Sequence, residues 1–566
     1  MPNVLNRKIL SLALPNILSN LTVPLLGMVD LALAGHLDNP NAIGGVTIAT
    51  TLFNLIYWAF SFLRMGTTGL TAQAHGAEDR EAMGRTLGQS LFIALSAALL
   101  ILLCQTPLAE LILGLLNPSP ELIAEALTYF RIVIWGAPAL LATYALNGWL
   151  LGMQNSWWPM TVSIITNITN ITISALLVLR YGEGVRGIAI GTLVAQYVGA
   201  LLLAAALLVG YHRKGQLQLP KSLRALTSGL RSYFTTNIAI VLRTLLLASV
   251  SLFFTYAGTQ QGAVTLATNA LLYQFFTLFS YFIDGFAFAA ESVVGHYYGM
   301  RDRPQLKRSV RYLMLWSLGL AGVVSGLYAL FGKSFLGLLT DQAELLALAQ
   351  HYFFWVLLLP FTGVTAFLYD GIFIGITASR QMVESMLAAV ATFFLIFYIT
   401  PLLAPAGTLF ADPNQALWLA FVSYLAVRGI VQYFLSKRMA GLGQPFTHHY
   451  ILSIGTTHLS SELSIRQLLT TELIPEITFS PFYTTEEIHG SGQLYLNAVA
   501  SLYSSLPTEE LVQRLKEIEQ LAGRDHRDPT DVALDLDLVL KDQQILRPHD
   551  YNAPYFQQGY RLLPSR

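Results

Sequence analysis

The sequence predicts an all-α polytopic membrane protein of twelve transmembrane helices in two six-helix bundles, followed by a small α+β domain. Three observations carry this: apolar runs of spanning length between residues 10 and 436, a long-period internal repeat, and a shift to polar composition after Gly443.

Composition sets the class. Hydrophobic residues make up 54% and charged residues 12% of the 566, with no net charge and a mean hydropathy of +0.53. An ordinary soluble protein carries about twice that charge. Neutrality leaves no basic face for nucleic acid, which is not expected as a partner; the lipid bilayer is. The single cysteine, Cys104, lies in an apolar run, which excludes a disulfide framework and a cysteine metal site. The first apolar stretch is too long for a cleaved signal peptide and lacks a small-residue cleavage site, so it is expected to remain as the first span.

About 20 apolar residues cross a hydrocarbon core. By that measure the spans are 10–34, 45–72, 87–106, 124–151, 159–179, 187–210, 233–257, 264–296, 310–331, 348–376, 383–403 and 416–436. Several exceed 25 residues, which predicts tilt or kinks, with Pro15, Pro24, Pro138 and Pro360 as expected breaking points.

Loop charge orients the chain. Seventeen Lys and Arg, from Arg7 and Lys8 through Arg213, Lys214, Lys221, Arg224 and Arg231 to Lys437 and Arg438, fall on one side, against Arg180, Arg186 and Lys333 on the other. This bias places both termini in the cytoplasm, for a multi-pass protein of the inner (plasma) membrane.

The repeat has an offset of 223 residues. AGHL at Ala34–Leu37 meets AGTQ at Ala257–Gln260; Gly76, Asp79 and Arg80 meet Gly299, Asp302 and Arg303; NGWLLG at Asn147–Gly152 meets DGIFIG at Asp370–Gly375. An even number of spans separates equivalent residues, so the bundles share one topology and are related by a pseudo-twofold axis along the membrane normal. The domains are thus 1–220 and 221–440, with the basic stretch Tyr211–Ser232 as the connector, and 444–566. Two like bundles make a central cleft suited to alternating access. A channel needs rings of like groups around a pore, and the sequence offers none.

Asp30, inside the first span, is the candidate for coupling. An ionised group held in the membrane costs at least ~2.5 kcal/mol. Either it lies near the helix end and snorkels to water, or it faces a polar cavity where it exchanges a proton or holds a cation. The apolar run continues through Leu31–Ala34, which favours the cavity. In the fifth span Asn167, Asn170 and Ser174 are spaced by three and four and share a helical face, and Thr192 lies in the sixth. They form either interhelical glue, about 0.6 kcal/mol per contact, or a coordination cluster with Asp30.

VDLALAGHL in the first span, MGTTGLTAQAHGAED at Met65–Asp79, NGWLLGMQNS at Asn147–Ser156 and the NITIS…GVRGIAIGT pattern at Asn170–Thr192 resemble the multidrug and toxic compound extrusion (MATE) family, most of all its DNA-damage-inducible branch. The resemblance covers about residues 1 to 440. It implies a monomeric antiporter that expels bulky cationic or amphipathic drug-like compounds against a proton or sodium gradient, with no cofactor besides that ion. It makes Asp30 the acid whose protonation bends the first helix, with Asn170 and Thr192 as polar partners. The family often has aspartate where this chain has Ser174, which removes one negative charge and favours coupling through protonation of Asp30.

Charges also interrupt the second bundle: Arg243, Asp284, Glu291 and Asp370. Arg243 with Asp284 is either a buried pair fixing helix packing or part of a second polar lobe on the cleft. Arg64, mid-span in the first bundle, reads as a snorkelling residue. Phe275, Phe276, Phe279 and Tyr281 offer ring faces for drug cations, or packing surface.

After Gly443 no segment is long enough to span. Strands at YILSIG, before SPFYTT, at LYLNAVASLY and at Val532–Leu540, with a helix at Pro507–Leu521, predict a cytosolic α+β domain. ILSIGTT, SPFYTTE, the run Tyr495–Arg524 and LDLDLVL at Leu534–Leu540 resemble 6-hydroxymethyl-7,8-dihydropterin pyrophosphokinase, which implies a ferredoxin-like fold. By that resemblance Asp535 and Asp537 hold the Mg2+ of ATP, Asn497 reads the pterin, and Arg524 and Arg561 meet phosphate. Residues i and i+2 of a strand share a face, which suits joint ligation. Departures are GTT at Gly455–Thr457 for the family's Gly-Ser-Asn turn, a shortened helix after it, Val532 for an arginine and Pro554–Tyr555 for a Pro-His pair. The tail is either a degenerate, regulatory domain or a working pyrophosphokinase of folate synthesis.

Overall fold

In the computed structural model, residues 2–37, 41–116, 119–212, 217, 218, 220, 230–403, 412–444, 446–473, 477–486, 493–524, 531–542 and 544–564 are described. The chain forms two compact units, Met1–Leu442 and Gly443–Arg566. The far side of the expected boundary, from residue 221, and most of the basic connector, including Arg213, Lys214, Lys221 and Arg224, lie outside the described residues.

Twelve helical stretches of the first unit have the length and hydropathy to cross a membrane among the described residues. The first half holds α1 (Pro2–Gly35), α2 (Asn41–Trp58), α3 (Phe62–Gly76), α4 (Arg80–Leu103), α5 (Gln105–Leu116), α6 (Pro120–Val133), α7 (Ala137–Gly152), α8 (Trp157–Ala175) and α9 (Gly184–Leu207). The second holds α10 (Leu230–Gln260), α11 (Ala263–Gly299), α12 (Arg303–Leu339), α13 (Ala343–Gly375), α14 (Ser379–Leu403) and α15 (Pro413–Ser436).

The helix breaks differ from expectation. Pro15, Pro24 and Pro360 sit inside continuous helices, whereas the second span breaks between Trp58 and Phe62, where no proline stands. The fourth passes through a 3-10 turn at Ile134–Gly136, just before Pro138. Neighbouring helices re-satisfy backbone groups that a proline frees in a membrane bundle, so proline alone does not fix a break.

The 223-residue offset is a structural repeat. Asp79 caps α4 by accepting from the Ala82 amide at 2.8 Å, and its counterpart Asp302 caps α12 by accepting from Gln305 at 3.0 Å. Glu78 and Arg301 share φ of 56°, and Gln154 and Thr377 have φ of 60° and 56°, so corresponding loops turn through the same left-handed residue. The halves also cross symmetrically. A Cβ on Gly76 would stand 1.9 Å from the His296 carbonyl, and one on Gly299 would stand 2.0 Å from that of Gln73. Only glycine permits that backbone approach. Ser292 Oγ adds a bond to Leu151 O at 2.6 Å, and Gln73 Nε2 one to Gly375 O at 2.8 Å.

The second unit has the ferredoxin-like chain order. Strands β1 (His448–Thr456), β2 (Thr478–Phe479), β3 (Tyr483–Glu486), β4 (Leu494–Ser504), β5 (Asp535–Lys541) and β6 (Gln544–Ile545) form an antiparallel sheet in the order β2-β4-β1-β5-β6, with β3 also beside β4. Alternation along the strands divides the core. Tyr450, Leu452 and Ile454 pack with Leu511, Leu515 and Ile518 of α17 (Thr508–Leu521), and with Ile465 and Leu469 of α16 (Glu462–Glu472). On the opposite face Ile451, Val499 and Val539 meet Phe556 of α19 (Pro554–Leu562), which follows the short α18 (Pro548–Asn552).

Candidate functional site

Asp30 sits in the C-terminal part of α1, a helix that packs against α8. The residue is partly buried, and its Oδ1 is fully enclosed without a hydrogen-bond partner among the described residues. Beside it runs a polar chain. Asn170 Nδ2 donates to Thr192 Oγ1 at 2.9 Å, Tyr129 OH lies 3.3 Å from the same oxygen, and Thr192 donates to Ile188 O at 3.1 Å. Asn170 Oδ1 is likewise buried and unpartnered. Asn167 reaches back to Thr22 O of α1 at 3.5 Å, and Ser174 Oγ lies 3.4 Å from Ile188 O.

The expected grouping is therefore only partly assembled. Asn170 and Thr192 join each other, but neither hydrogen-bonds Asp30. Tyr129, within electrostatic reach of Asp30, was not selected from sequence, where it is one tyrosine among 26. The fully buried Ser174 abuts Gly191, whose Cβ would stand 2.1 Å from its Oγ. A carboxylate there would face the Ile188 carbonyl, acceptor against acceptor.

The second bundle contributes a cavity of about 410 Å³ whose wall extends to Trp58, Arg64 and Met65 of the first. That volume suits a small-molecule site. Asp30 is not part of its lining. Arg64 does not snorkel: it grips Glu291 of α11 through two N–H groups at 3.1 and 3.4 Å, and its guanidinium lies 4.0 Å over the Phe288 ring. Nor is Arg243 paired with Asp284. Arg243 of α10 and Arg428 of α15 both ion-pair with Asp370 Oδ2 of α13, and Gln432 Nε2 donates to Oδ1 at 2.6 Å. Asp284 lines the cavity and forms no ion pair or hydrogen bond among the described residues. Arg428 and Gln432 were missed, although Arg428 interrupts an apolar span and carried the same signal as Arg243. Phe276 lines the cavity, whereas Phe275 and Phe279 are buried in packing and Tyr281 lends its carbonyl to Asn20 at 3.2 Å.

In the tail, Asp535 and Asp537 flank a cavity of about 340 Å³ with Lys516, Glu519 and Arg547. Arg547 ion-pairs with Asp537 and lies 3.4 Å from Asp550. A guanidinium therefore stands on one of the two carboxylates that a magnesium ion would need, and among the described residues no group of three acidic, His or Cys side chains forms a metal site. In this arrangement the donor set does not fit Mg2+. Asn497, Gly455 and Asp535 lie abreast on three neighbouring strands, which puts Asn497 about 10 Å from the aspartate row. Its Nδ2 is taken by Thr485 Oγ1 at 2.7 Å. Arg524 keeps Nε and Nη1 buried without partners among the described residues, Arg561 is exposed on α19, and neither lines the cavity.

Burial pushes the Asp537 carboxyl up to about 6; the charges of Asp535, Asp550 and Glu519 add to this and Arg547 opposes it. Unfolded, an aspartate titrates near ~3.9. The folded tail thus binds this proton more tightly, and its stability falls as pH rises from about 4 to about 6, with the full penalty above. Asp537→Asn is expected to raise the tail's melting transition in the full chain at pH 7.5 in EDTA. That gain should vanish toward pH 4.

Comparison with known proteins gives consistent findings. A family model described as MatE matches residues 15–176 and again 239–399, and one described as 7,8-dihydro-6-hydroxymethylpterin-pyrophosphokinase (HPPK) matches residues 451–558. DNA damage-inducible protein F of Escherichia coli (strain K12) is 39% identical over 420 residues, 74% of this chain and 89% of that protein. The probable multidrug resistance protein NorM of Thermotoga maritima is 25% identical over 365 residues, 61% of this chain and 75% of that one. A solved structure described as an outward-facing conformation of a multidrug resistance MATE family transporter of the MOP superfamily superposes with a TM-score of 0.66 at 20% identity, covering 76% of this chain and 95% of its own. That likeness is one of fold.

Proposed function

The chain belongs to the MatE family, and from that premise we propose that it is a cation-coupled multidrug efflux antiporter working by alternating access in the inner membrane, monomeric and with both termini cytoplasmic. The observation that carries this reading is the enclosed carboxyl oxygen of Asp30, which has no hydrogen-bond partner among the described residues. A charge in that position is costly unless its loss and return are used. Ionised, Asp30 favours the state that holds a cationic compound; a proton arriving from outside neutralises it, and the compound leaves. Asn170, Thr192 and Tyr129 supply the polar wall against which that charge is gained and lost.

A ligand moves a two-state equilibrium only through its differential affinity, and a full swing from 1:99 to 99:1 needs about a 10⁴-fold difference. The two conformations must therefore differ strongly in how tightly they hold the Asp30 proton. Ser174 in place of an acid leaves few oxygen ligands for sodium, which favours the proton as coupling ion. Proteoliposomes carrying the purified chain and a cationic dye test this: an imposed proton gradient should drive dye transport and a sodium gradient alone should not. Transport under neither gradient would contradict the reading.

For the tail we favour a degenerate, regulatory role, supported by Arg547 on Asp537 and by Val532 in place of an arginine. Loss of an arginine from a phosphoryl-transfer site removes charge stabilisation that positioning does not replace. The alignment of Asn497 with Asp535 supports the other reading, pyrophosphate transfer from ATP to 6-hydroxymethyl-7,8-dihydropterin. AMP release by the full chain given ATP, Mg2+ and that pterin would establish the enzyme; no release would leave the regulatory role standing.

A further inference from the structure

Two histidines meet where the halves cross. His75 stands in the last turn of α3 and His296 in the last turn of α11, and their rings lie 4.9 Å apart between centroids, tilted by 48°. The same place holds the backbone approaches of Gly76 to the His296 carbonyl and of Gly299 to that of Gln73. The turns that follow lead into Arg80, Arg301 and Arg303, on the side that the charge bias assigns to the cytoplasm.

The repeat shows what sets this contact apart. Gln73 Nε2 donates to Gly375 O at 2.8 Å and to Thr377 Oγ1 at 3.2 Å, so a neutral amide ties α3 to α13. Its counterpart 223 residues on is His296. An amide holds at any pH, whereas an imidazole changes charge near neutrality. One half therefore closes on a group that cannot titrate, the other on a ring that can.

Little around the pair would offset a charge. The Nδ1 of His75 and the Nδ1 of His296 are both buried without a hydrogen-bond partner among the described residues. Lys8 of α1 lies within electrostatic reach of both rings, its Nζ 5.3 Å from the centre of the Tyr297 ring, and Tyr297 in turn packs on His296 at 5.5 Å. Among the described residues the acid within reach is Glu78, exposed in the turn after α3. From α7 the backbone of Gly152 faces His75, and α13 brings Gly375 and Thr377, none of them charged. Neutral rings can stack here; two imidazolium rings beside a lysine repel.

We propose that the His75–His296 contact is a proton-sensitive latch at the cytoplasmic end of the interface between the bundles, closed while both rings are neutral and released when both are charged. Acid on that face alone then favours the form open to the cytoplasm, independently of Asp30. A proton that binds only the separated form shifts the equilibrium toward it. Once apart, each ring faces water and titrates near ~6.5, so a fall from pH 8.0 to 5.5 favours separation by roughly tenfold for each ring that takes up a proton. The latch concerns closure between the bundles and stands whether or not the export reading does.

Double electron–electron resonance on the full chain in lipid nanodiscs tests it. Spin labels go on Glu81→Cys of α4 and Lys307→Cys of α12, both exposed, after Cys104→Ser removes the single native cysteine. Asp30→Asn in the same chain silences the other proton site. Between pH 8.0 and 5.5 the ratio of separated to closed label pairs should rise at least tenfold. His75→Phe with His296→Phe keeps two stacked rings without a titratable nitrogen and should hold the change below threefold. His296→Gln, which copies Gln73, leaves one ring to titrate, and its change should fall at least threefold short of that of the histidine pair. No rise with both histidines present would overturn the proposal, as would an undiminished rise in either variant.

Discussion

Asp30→Asn should reduce gradient-driven dye export to the leak of protein-free liposomes while the protein stays folded. Asparagine has nearly the same shape as aspartate, and the buried Oδ1 it would replace has no partner to lose among the described residues. The change also spares the chain an ionised group within the membrane, which costs at least ~2.5 kcal/mol. What disappears is the ability to change charge. Elution as a single species and a melting temperature no lower than that of the wild-type chain would establish folding; full export by such a variant would remove Asp30 from the mechanism.

The largest effect on stability is expected at Asp370. Asp370→Leu leaves Arg243, Arg428 and the Gln432 amide facing one another in a buried site with no carboxylate between them. Removing one member of a buried ionic cluster costs about 3–5 kcal/mol, because the remaining charge is stranded. Thermal unfolding in detergent should register this as a large fall in melting temperature. The triple variant Arg243→Met, Asp370→Leu, Arg428→Met should recover most of the loss, since a well-packed apolar replacement of a whole cluster is often neutral. Arg243→Gln alone should cost much less, because Asp370 keeps Arg428. Equal destabilisation by all three would show that the site is held by shape rather than charge.

The spans were legible in the sequence because lipid forces each crossing segment to be long, apolar and internally hydrogen-bonded. The repeat was legible because equivalent loops reuse the same cap and the same left-handed residue, as at Asp79 and Asp302 or Glu78 and Arg301. Pairing between helices was not. Arg243 meets Asp370 rather than Asp284 because α10, α13 and α15 converge there, a fact of packing that no local spacing encodes. Tyr129 joined the Asp30 neighbourhood through the contact of α6 with α9, and only the fold brings those helices together. In the tail the strand register was implied by alternation, but Arg547 lies ten residues beyond Asp537, and its return to that carboxylate depends on the turn after β5.

The central claim is that Asp30 exchanges a proton for a bound cation. Purified protein in weakly buffered detergent solution, mixed with a cationic dye, should release protons in proportion to the dye bound, and Asp30→Asn should bind without release. No release from the wild-type chain, or equal release from the variant, would contradict the account.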